Sequence, residues 1–241
     1  MIDPKELVES GLLLVDKPAE WTSHDVVNFV RRRFGIAKVG HCGTLDPAAT
    51  GLLILVLGKA TKLADRFSGQ DKLYAGTMRL GVETDSQDAD GKVTATHDVA
   101  GIGEGQVRAA AAGFVGEIMQ VPPMVSAIKL NGRPLYKLAR KGQVVEREPR
   151  PVTIHSFEIG AVALPDVTFT VACSKGTYVR TLCADLGAKL GCGAHLLCLR
   201  RLRSGEFDVK DAVTLDTIKT WDRATLLAKM TPLLALAGRL R

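Results

Sequence analysis

The uninterrupted apolar run LLILVL at 52–57 constrains the fold more than any other stretch. Gly51 and Gly58 bound it, as expected of a buried strand. Other strands are half-buried, because their apolar residues alternate with polar ones. Over 74–81, Tyr74, Gly76, Met78 and Leu80 face one way and Ala75, Thr77 and Arg79 the other. Over 167–174 the apolar set is Val167, Phe169, Val171 and Cys173. The run from Gly11 reads as a short strand that turns at Lys17–Pro18. Helical spacing interrupts these strands. Residues 22–35 put Val26, Val27, Val30 and Phe34 on one face, with Thr22 or Ser23 as cap and Gly35 as stop. Arg31, Arg32 and Arg33 fall near the end of that helix, where cations are favoured, so a solvated helix end is preferred to an RNA contact. Residues 178–191 carry a stripe of Val179, Leu182, Cys183, Leu186 and Leu190, with Thr177 as cap. No βαβ period or internal repeat joins these elements. The fold class is therefore α+β with a mixed, mainly antiparallel sheet.

The 241 residues suffice for one large domain or two small ones. The 52–57 run is far too short to span a bilayer. MIDPKELVES at the N-terminus is acidic and polar, unlike a signal peptide, which points to the cytoplasm. A net charge of +6 is compatible with a polyanionic partner, and the basic residues cluster at 31–33, at Lys59 and Lys62, over 129–150 and at Arg200, Arg201 and Arg203. Five cysteines without a signal peptide read as reduced thiols. Cys192, His195 and Cys198 have metal-like spacing, but paired CxxC knuckles are absent and small buried hydrophobes are the better reading. DSQDADG at 85–91 imitates a calcium loop. Ser86 and His97 stand at two ligand positions that need acids, so a solvated hairpin turn is favoured and no metal is expected.

One carboxylate stands out. In GHCGTLDPAATG at 40–51, Asp46 sits among small and apolar neighbours. Asp before Pro is a helix-start signature, so local rules favour an N-cap. The alternative is a carboxylate held at a cleft to do chemistry. Residues 121–151 are basic and Pro-flanked, and read equally as a surface excursion or as an arm that grips phosphates.

Six segments follow one another in order: GLLLVDKP, HCGTLDPAATGLL with LGKATKL, DKLYAGTMRLGVETDSQDADG, VPPMVSAIKLNGRPLYKLARKG, CSKGTYVRTLCADLG and CGAHLLCLRRLRSGEF. In this combination the chain resembles the TruB family of bacterial tRNA pseudouridine-55 synthases over roughly residues 10–210. The resemblance implies the pseudouridine synthase fold, with helices flanking the sheet, and a chemistry without metal or cofactor. Such enzymes break the glycosidic bond of one T-loop uridine, turn the base and rejoin it through carbon. The motif GTLDPAATG makes Asp46 the essential aspartate. His41 helps hold the flipped arrangement, and Arg180 of GTYVR is the cationic partner that keeps Asp46 ionised. Tyr74 stacks on the base and accepts a proton late in the reaction, and Tyr178 lines the same pocket. Lys17 and Pro18 support the active-site loop. Taken singly, His41 reads as a plain loop residue, Tyr74 as a core aromatic and Arg180 as a surface charge.

The resemblance also makes 121–151 an RNA-gripping insertion, with Lys129, Arg133, Lys137, Arg140 and Lys141 as phosphate contacts. It implies a single catalytic domain over 1–241, acting on the T arm of tRNA as a monomer without a protein partner. Many members carry a C-terminal PUA domain. Residues 208–241 are too few for one and read as a helical cap. Asp46 can attack the sugar C1′ or abstract a sugar proton, and both stay open. Two further readings are an RNA chaperone that opens the tRNA elbow and a guide-dependent relative working in a ribonucleoprotein.

Overall fold

The computed structural model describes residues 8–126, 129, 130, 132–135, 143 and 145–237. Its first elements are β1 (Gly11–Lys17), α1 (Ser23–Phe34), β2 (Val39–Cys42), β3 (Thr50–Leu57), α2 (Ala64–Ser68), β4 (Lys72–Leu80), β5 (Val82–Thr84) and β6 (Val93–Thr96). Next come α3 (Glu104–Ala112), β7 (Gly116–Gln120), β8 (Lys129–Leu130), β9 (Arg133–Pro134), β10 (Arg150–Ala163), β11 (Asp166–Cys173) and α4 (Val179–Leu190). The last described elements are β12 (Ala194–Ser204), β13 (Phe207–Asp208), β14 (Val213–Thr214), α5 (Leu215–Thr220), α6 (Arg223–Lys229), β15 (Thr231–Pro232) and α7 (Leu233–Ala237). Two compact units form: Met1–Leu73 with Arg200–Arg241, and Tyr74–Leu199.

In the first unit β3 explains its own sequence. It pairs antiparallel with β1 along its length and with β2 over half of it. It also pairs parallel with β12, Arg200 opposite Thr50 and Arg201 opposite Gly51. Every residue from Gly51 to Leu57 is buried, so no face is left for a polar side chain. Ile54 and Val56 pack with Leu12, Cys42, Phe67 and Phe207. The Phe67 and Phe207 rings meet edge-to-face at 5.7 Å. Helix α1 buries Val26, Val27, Val30 and Phe34, is capped by Thr22 with Asp25 completing a capping box, and stops at left-handed Gly35. Its arginines are exposed, but Arg33 is more than a solvated charge: its guanidinium donates to the carbonyls of Lys219 and Trp221. The segment after Phe207 is more than a helical cap. β14 and β15 both pair with β1, adding short strands to the three helices.

In the second unit β4, β11, β10 and β7 lie side by side in that order. β10 is antiparallel to both β11 and β7, giving the mainly antiparallel sheet expected. Val167, Phe169, Val171 and Cys173 point into the core, where Phe157 and Phe169 meet edge-to-face at 5.5 Å. Helix α4 buries Val179, Leu182, Cys183 and Leu186. Thr177 does not cap it. Tyr178 holds the N-cap position, and the Thr177 hydroxyl instead donates back to the Ser174 carbonyl, closing the preceding turn. The DSQDADG stretch joins the β5–β6 hairpin, as read from its sequence. Four cysteines are buried; Cys198 departs from the buried-hydrophobe reading and is exposed on β12. His195 is buried, and its Nδ1 lies 2.9 Å from the Val82 carbonyl oxygen. Among the described residues, no helix is long and apolar enough to cross a membrane.

Candidate active site

The residues that sequence reading singled out fall into two groups, one in each unit. The first is built around the loop between β2 and β3. Asp46 lies there half-buried, and it is not a helix cap, because no helix follows. The Ala49 amide donates to the Asp46 carbonyl at 3.1 Å, so the chain makes a turn instead. Contacts from distant sequence hold that turn in place. Ser23 takes both sides of Leu45: its hydroxyl donates to the Leu45 carbonyl at 3.1 Å and accepts from the Leu45 amide at 2.9 Å. The Pro47 carbonyl accepts from the Glu20 amide at 2.9 Å and from Lys17 Nζ at 3.0 Å.

Lys17 ends β1 with its side chain 0% exposed. Its ammonium donates three hydrogen bonds, to the carbonyls of Pro18, Trp21 and Pro47 at 2.8, 2.6 and 3.0 Å. Three donors meeting three acceptors leave no proton of the ammonium unused. Burial pushes the Lys17 amine down to about 8, against the pull of the Asp46 carboxylate, which favours the charged form. The Asp46 carboxylate thus lies within electrostatic reach of the Lys17 ammonium, which is held through the neighbouring Pro47 carbonyl. Between about pH 8 and the ordinary lysine value of 10.5, the unfolded chain binds a proton here that the folded protein has released. Stability contributed by this group therefore rises with pH across that window. Lys17→Met is expected to remove that rise, read as denaturation midpoints of wild type and variant at pH 7.5 and pH 9.5. Equal pH dependence of the two proteins would count against the assignment.

His41, on β2, is half-buried, and burial, then the nearby Arg201 charge, pushes its imidazole below the ordinary value. His41 is therefore neutral at pH 7. Its Nδ1 is buried and makes no hydrogen bond among the described residues.

The second group lies around the start of α4. Arg180 is 4% exposed, which removes the surface-charge reading. Its guanidinium donates to the carbonyls of Ser86 at 3.2 Å and Val125 at 2.9 Å, and pairs with the Asp88 carboxylate at 3.2 Å. The acidic hairpin turn thus has a second task, as a support for Arg180. Next to it, Thr181 Oγ1 donates to Gln87 Oε1 at 2.8 Å. Tyr178 is held by its main chain: its amide donates to Gln120 Oε1 at 2.7 Å, and its carbonyl accepts from Gln120 Nε2 at 3.1 Å. Tyr74 is a buried residue of β4. Of the basic insertion, Lys129 and Arg133 lie on the short β8–β9 hairpin. Lys137, Arg140 and Lys141 lie outside the described residues.

Sequence reading missed Gln120, and it gave Ser23, Asp88 and Arg201 other roles: a helix cap, part of a calcium-like turn and one of a basic cluster. Each acts on a residue distant in sequence, which no local pattern shows. Among the described residues, no group of three His, Cys, Asp or Glu side chains gathers as a metal site. A half-buried carboxylate on a braced turn, beside a buried ammonium, suits a nucleophile or a base whose position must not drift.

Comparison with known proteins places the whole chain in a family. Residues 31–179 match the family described as TruB family pseudouridylate synthase (N terminal domain). Residues 180–235 match the tRNA pseudouridylate synthase B C-terminal domain. The tRNA pseudouridine synthase B of Opitutus terrae is 54% identical over 219 residues, covering 91% of this chain and 90% of that protein. The protein of the same name from Syntrophotalea carbinolica is 52% identical over 221 residues, covering 90% of this chain and 72% of its own length. Among solved structures, a Cbf5-Nop10-Gar1 complex aligns with a TM-score of 0.72 at 29% identity, over 96% of this chain. The archaeal box H/ACA sRNP Nop10-Cbf5 complex aligns with a TM-score of 0.69, also at 29% identity, over 95% of this chain. This chain spans 62% of the matched chain in each of those complexes.

Proposed function

The chain belongs to the TruB family of pseudouridylate synthases, and we propose that it isomerises a tRNA uridine to pseudouridine at position 55 in the T loop. The observation that carries the reading is the braced turn at Asp46. Lys17, Glu20 and Ser23 grip the residues on either side of the one carboxylate that the family motif contains. The names of the 54% and 52% identical relatives support tRNA as substrate.

The target base must leave the stack before its glycosidic bond can react, at a cost of a few kcal/mol. A neutral imidazole at His41 can pack against the opened arm without bringing in a charge. Tyr74 stacks on the flipped base, and Tyr178 lines its pocket. Asp46 then either attacks C1′ and displaces N1, or takes a sugar proton so that the N1–C1′ bond breaks and the base leaves as an anion; the base turns, and C5 bonds to C1′ as Asp46 is released or returns the proton. The proton lost from C5 goes to a base, for which Tyr74 is the candidate. Arg180 serves as the cation that keeps Asp46 ionised, and its own supports at Ser86, Asp88 and Val125 fix its direction. The basic insertion grips phosphates of the T arm. The enzyme works as a cytoplasmic monomer and needs neither a cofactor nor a protein partner.

The likeness to Cbf5 complexes keeps a guide-dependent reading in view. The higher identity to tRNA pseudouridine synthase B proteins favours a stand-alone enzyme. One experiment separates them: purified protein is mixed with a bare tRNA transcript carrying 5-tritiated uridine. Tritium released, with pseudouridine mapped to position 55, is the expected result. Binding without release would favour the chaperone or guide-dependent reading.

A further inference from the structure

Arg201 is 1% exposed, and by volume it is among the largest side chains so deeply buried. A buried guanidinium ordinarily meets a carboxylate, because taking its charge out of water costs several kcal/mol. Among the described residues, both hydrogen bonds of Arg201 go to main-chain carbonyls instead. Nε donates to Leu52 at 2.7 Å and Nη2 to Gly43 at 3.0 Å. Those carbonyls stand on opposite sides of Asp46 in the chain, Gly43 just after β2 and Leu52 near the start of β3.

The loop is shaped to receive this residue. Gly51 has φ +97°, and a Cβ added there would lie 2.3 Å from the Arg201 carbonyl oxygen and 2.8 Å from its nitrogen. Gly43 has φ +82°, and a Cβ there would lie 3.3 Å from Arg201 Nη1. The main chain of Arg201 thus packs against Gly51 at the start of β3, and its guanidinium reaches Gly43 just after β2. Its charge also acts on Lys17, His41 and Cys42, three residues of the same site. Stability alone does not account for a guanidinium here, because an apolar side chain of similar volume commonly serves a buried position as well or better.

We propose that Arg201 is a positioning residue of the reaction: its guanidinium ties Gly43, just after β2, to Leu52, near the start of β3, and so fixes where the Asp46 carboxylate on the intervening loop stands. The inference rests on the reading of Asp46 as the reacting carboxylate. It is tested with Arg201→Met and Arg201→Lys. For each, the single-turnover rate at saturating tRNA, the tRNA Kd and the thermal midpoint are measured.

In Arg201→Met the rate is expected to fall about 100-fold, the size of effect that a displacement near 1 Å produces. The Kd is expected to stay within about threefold and the fold to persist. A lysine reaches one carbonyl but not both. Arg201→Lys is therefore expected to recover about tenfold of the loss, as a partial clamp restores part of the alignment. A folded Arg201→Met protein with a rate within about threefold of wild type would overturn the proposal, since lost alignment costs more than that. If Arg201→Met does not fold, amide exchange in Arg201→Lys decides. Faster exchange confined to 43–52 supports the clamp, and unchanged exchange there overturns it. Asp46→Asn is assayed alongside. Full activity in that variant would refute the Asp46 reading, while the exchange data would still report on the clamp.

Discussion

Asp46→Asn is expected to release no tritium above background, a loss of at least about a thousandfold, with tRNA still bound and the fold intact. The turn that presents Asp46 is fixed through Leu45 and Pro47, by Ser23, Glu20 and Lys17. None of those bonds uses the Asp46 side chain, so an amide in its place leaves them standing. Asn has nearly the same shape, but it is a far weaker nucleophile and has no basic oxygen that can take a proton. Both open mechanisms therefore stop at the first step. Lys17 will still be held by its three carbonyls, although it loses a neighbouring negative charge. Tritium release within tenfold of wild type, in a protein shown by mass to be free of deamidation, would sink the assignment.

The contrast between Asp46 and its surroundings shows what the sequence could and could not reveal. The strand at 52–57, the alternation at 74–80 and the α1 stripe all follow from local periodicity, and all three stand in the structure. Asp46 defeated a local rule. Asp-Pro favours a helix start, yet Ser23 and Lys17, from elsewhere in the chain, bend this segment into a turn. Tertiary contacts overrode a preference worth about 1 kcal/mol. The family motif, not the local rule, identified the residue as one to test. Arg200 and Arg201 show the opposite limit. Composition grouped them as one basic cluster. On β12 successive side chains face opposite ways. Arg200 pairs with Asp16 at 2.7 Å on a half-exposed face, and Arg201 goes inside. Which arginine is buried depends on the register of β12 against β3, and no single-strand pattern carries that register. The short strands after Phe207 were hidden for a similar reason. Two-residue strands have no period to read, and they exist because β1 has an edge to pair with.

Changing Lys129, Arg133, Lys137, Arg140 and Lys141 together to Ala is expected to weaken tRNA binding by about a hundredfold or more at moderate salt. Each cation that neutralises a phosphate releases a counterion, and each such release steepens the dependence of log K on log salt by about 0.7 to 0.9. If all five contact phosphates, the slope of the variant is shallower by about 4, and its affinity approaches that of wild type at high salt. The turnover rate at saturating tRNA should change little, because the loop that holds Asp46 belongs to the other unit and takes its bonds from Ser23, Lys17 and Glu20. That split separates an RNA-gripping arm from a catalytic element. A variant with weaker binding and an unchanged slope has lost shape rather than phosphate contacts, and the arm reading fails. A variant whose saturated rate drops while its binding holds would instead place these residues in the chemistry. The β8–β9 hairpin carries Lys129 and Arg133 only two residues wide on each strand. So short a hairpin contributes little to the core, and the five substitutions should leave the thermal midpoint unmoved.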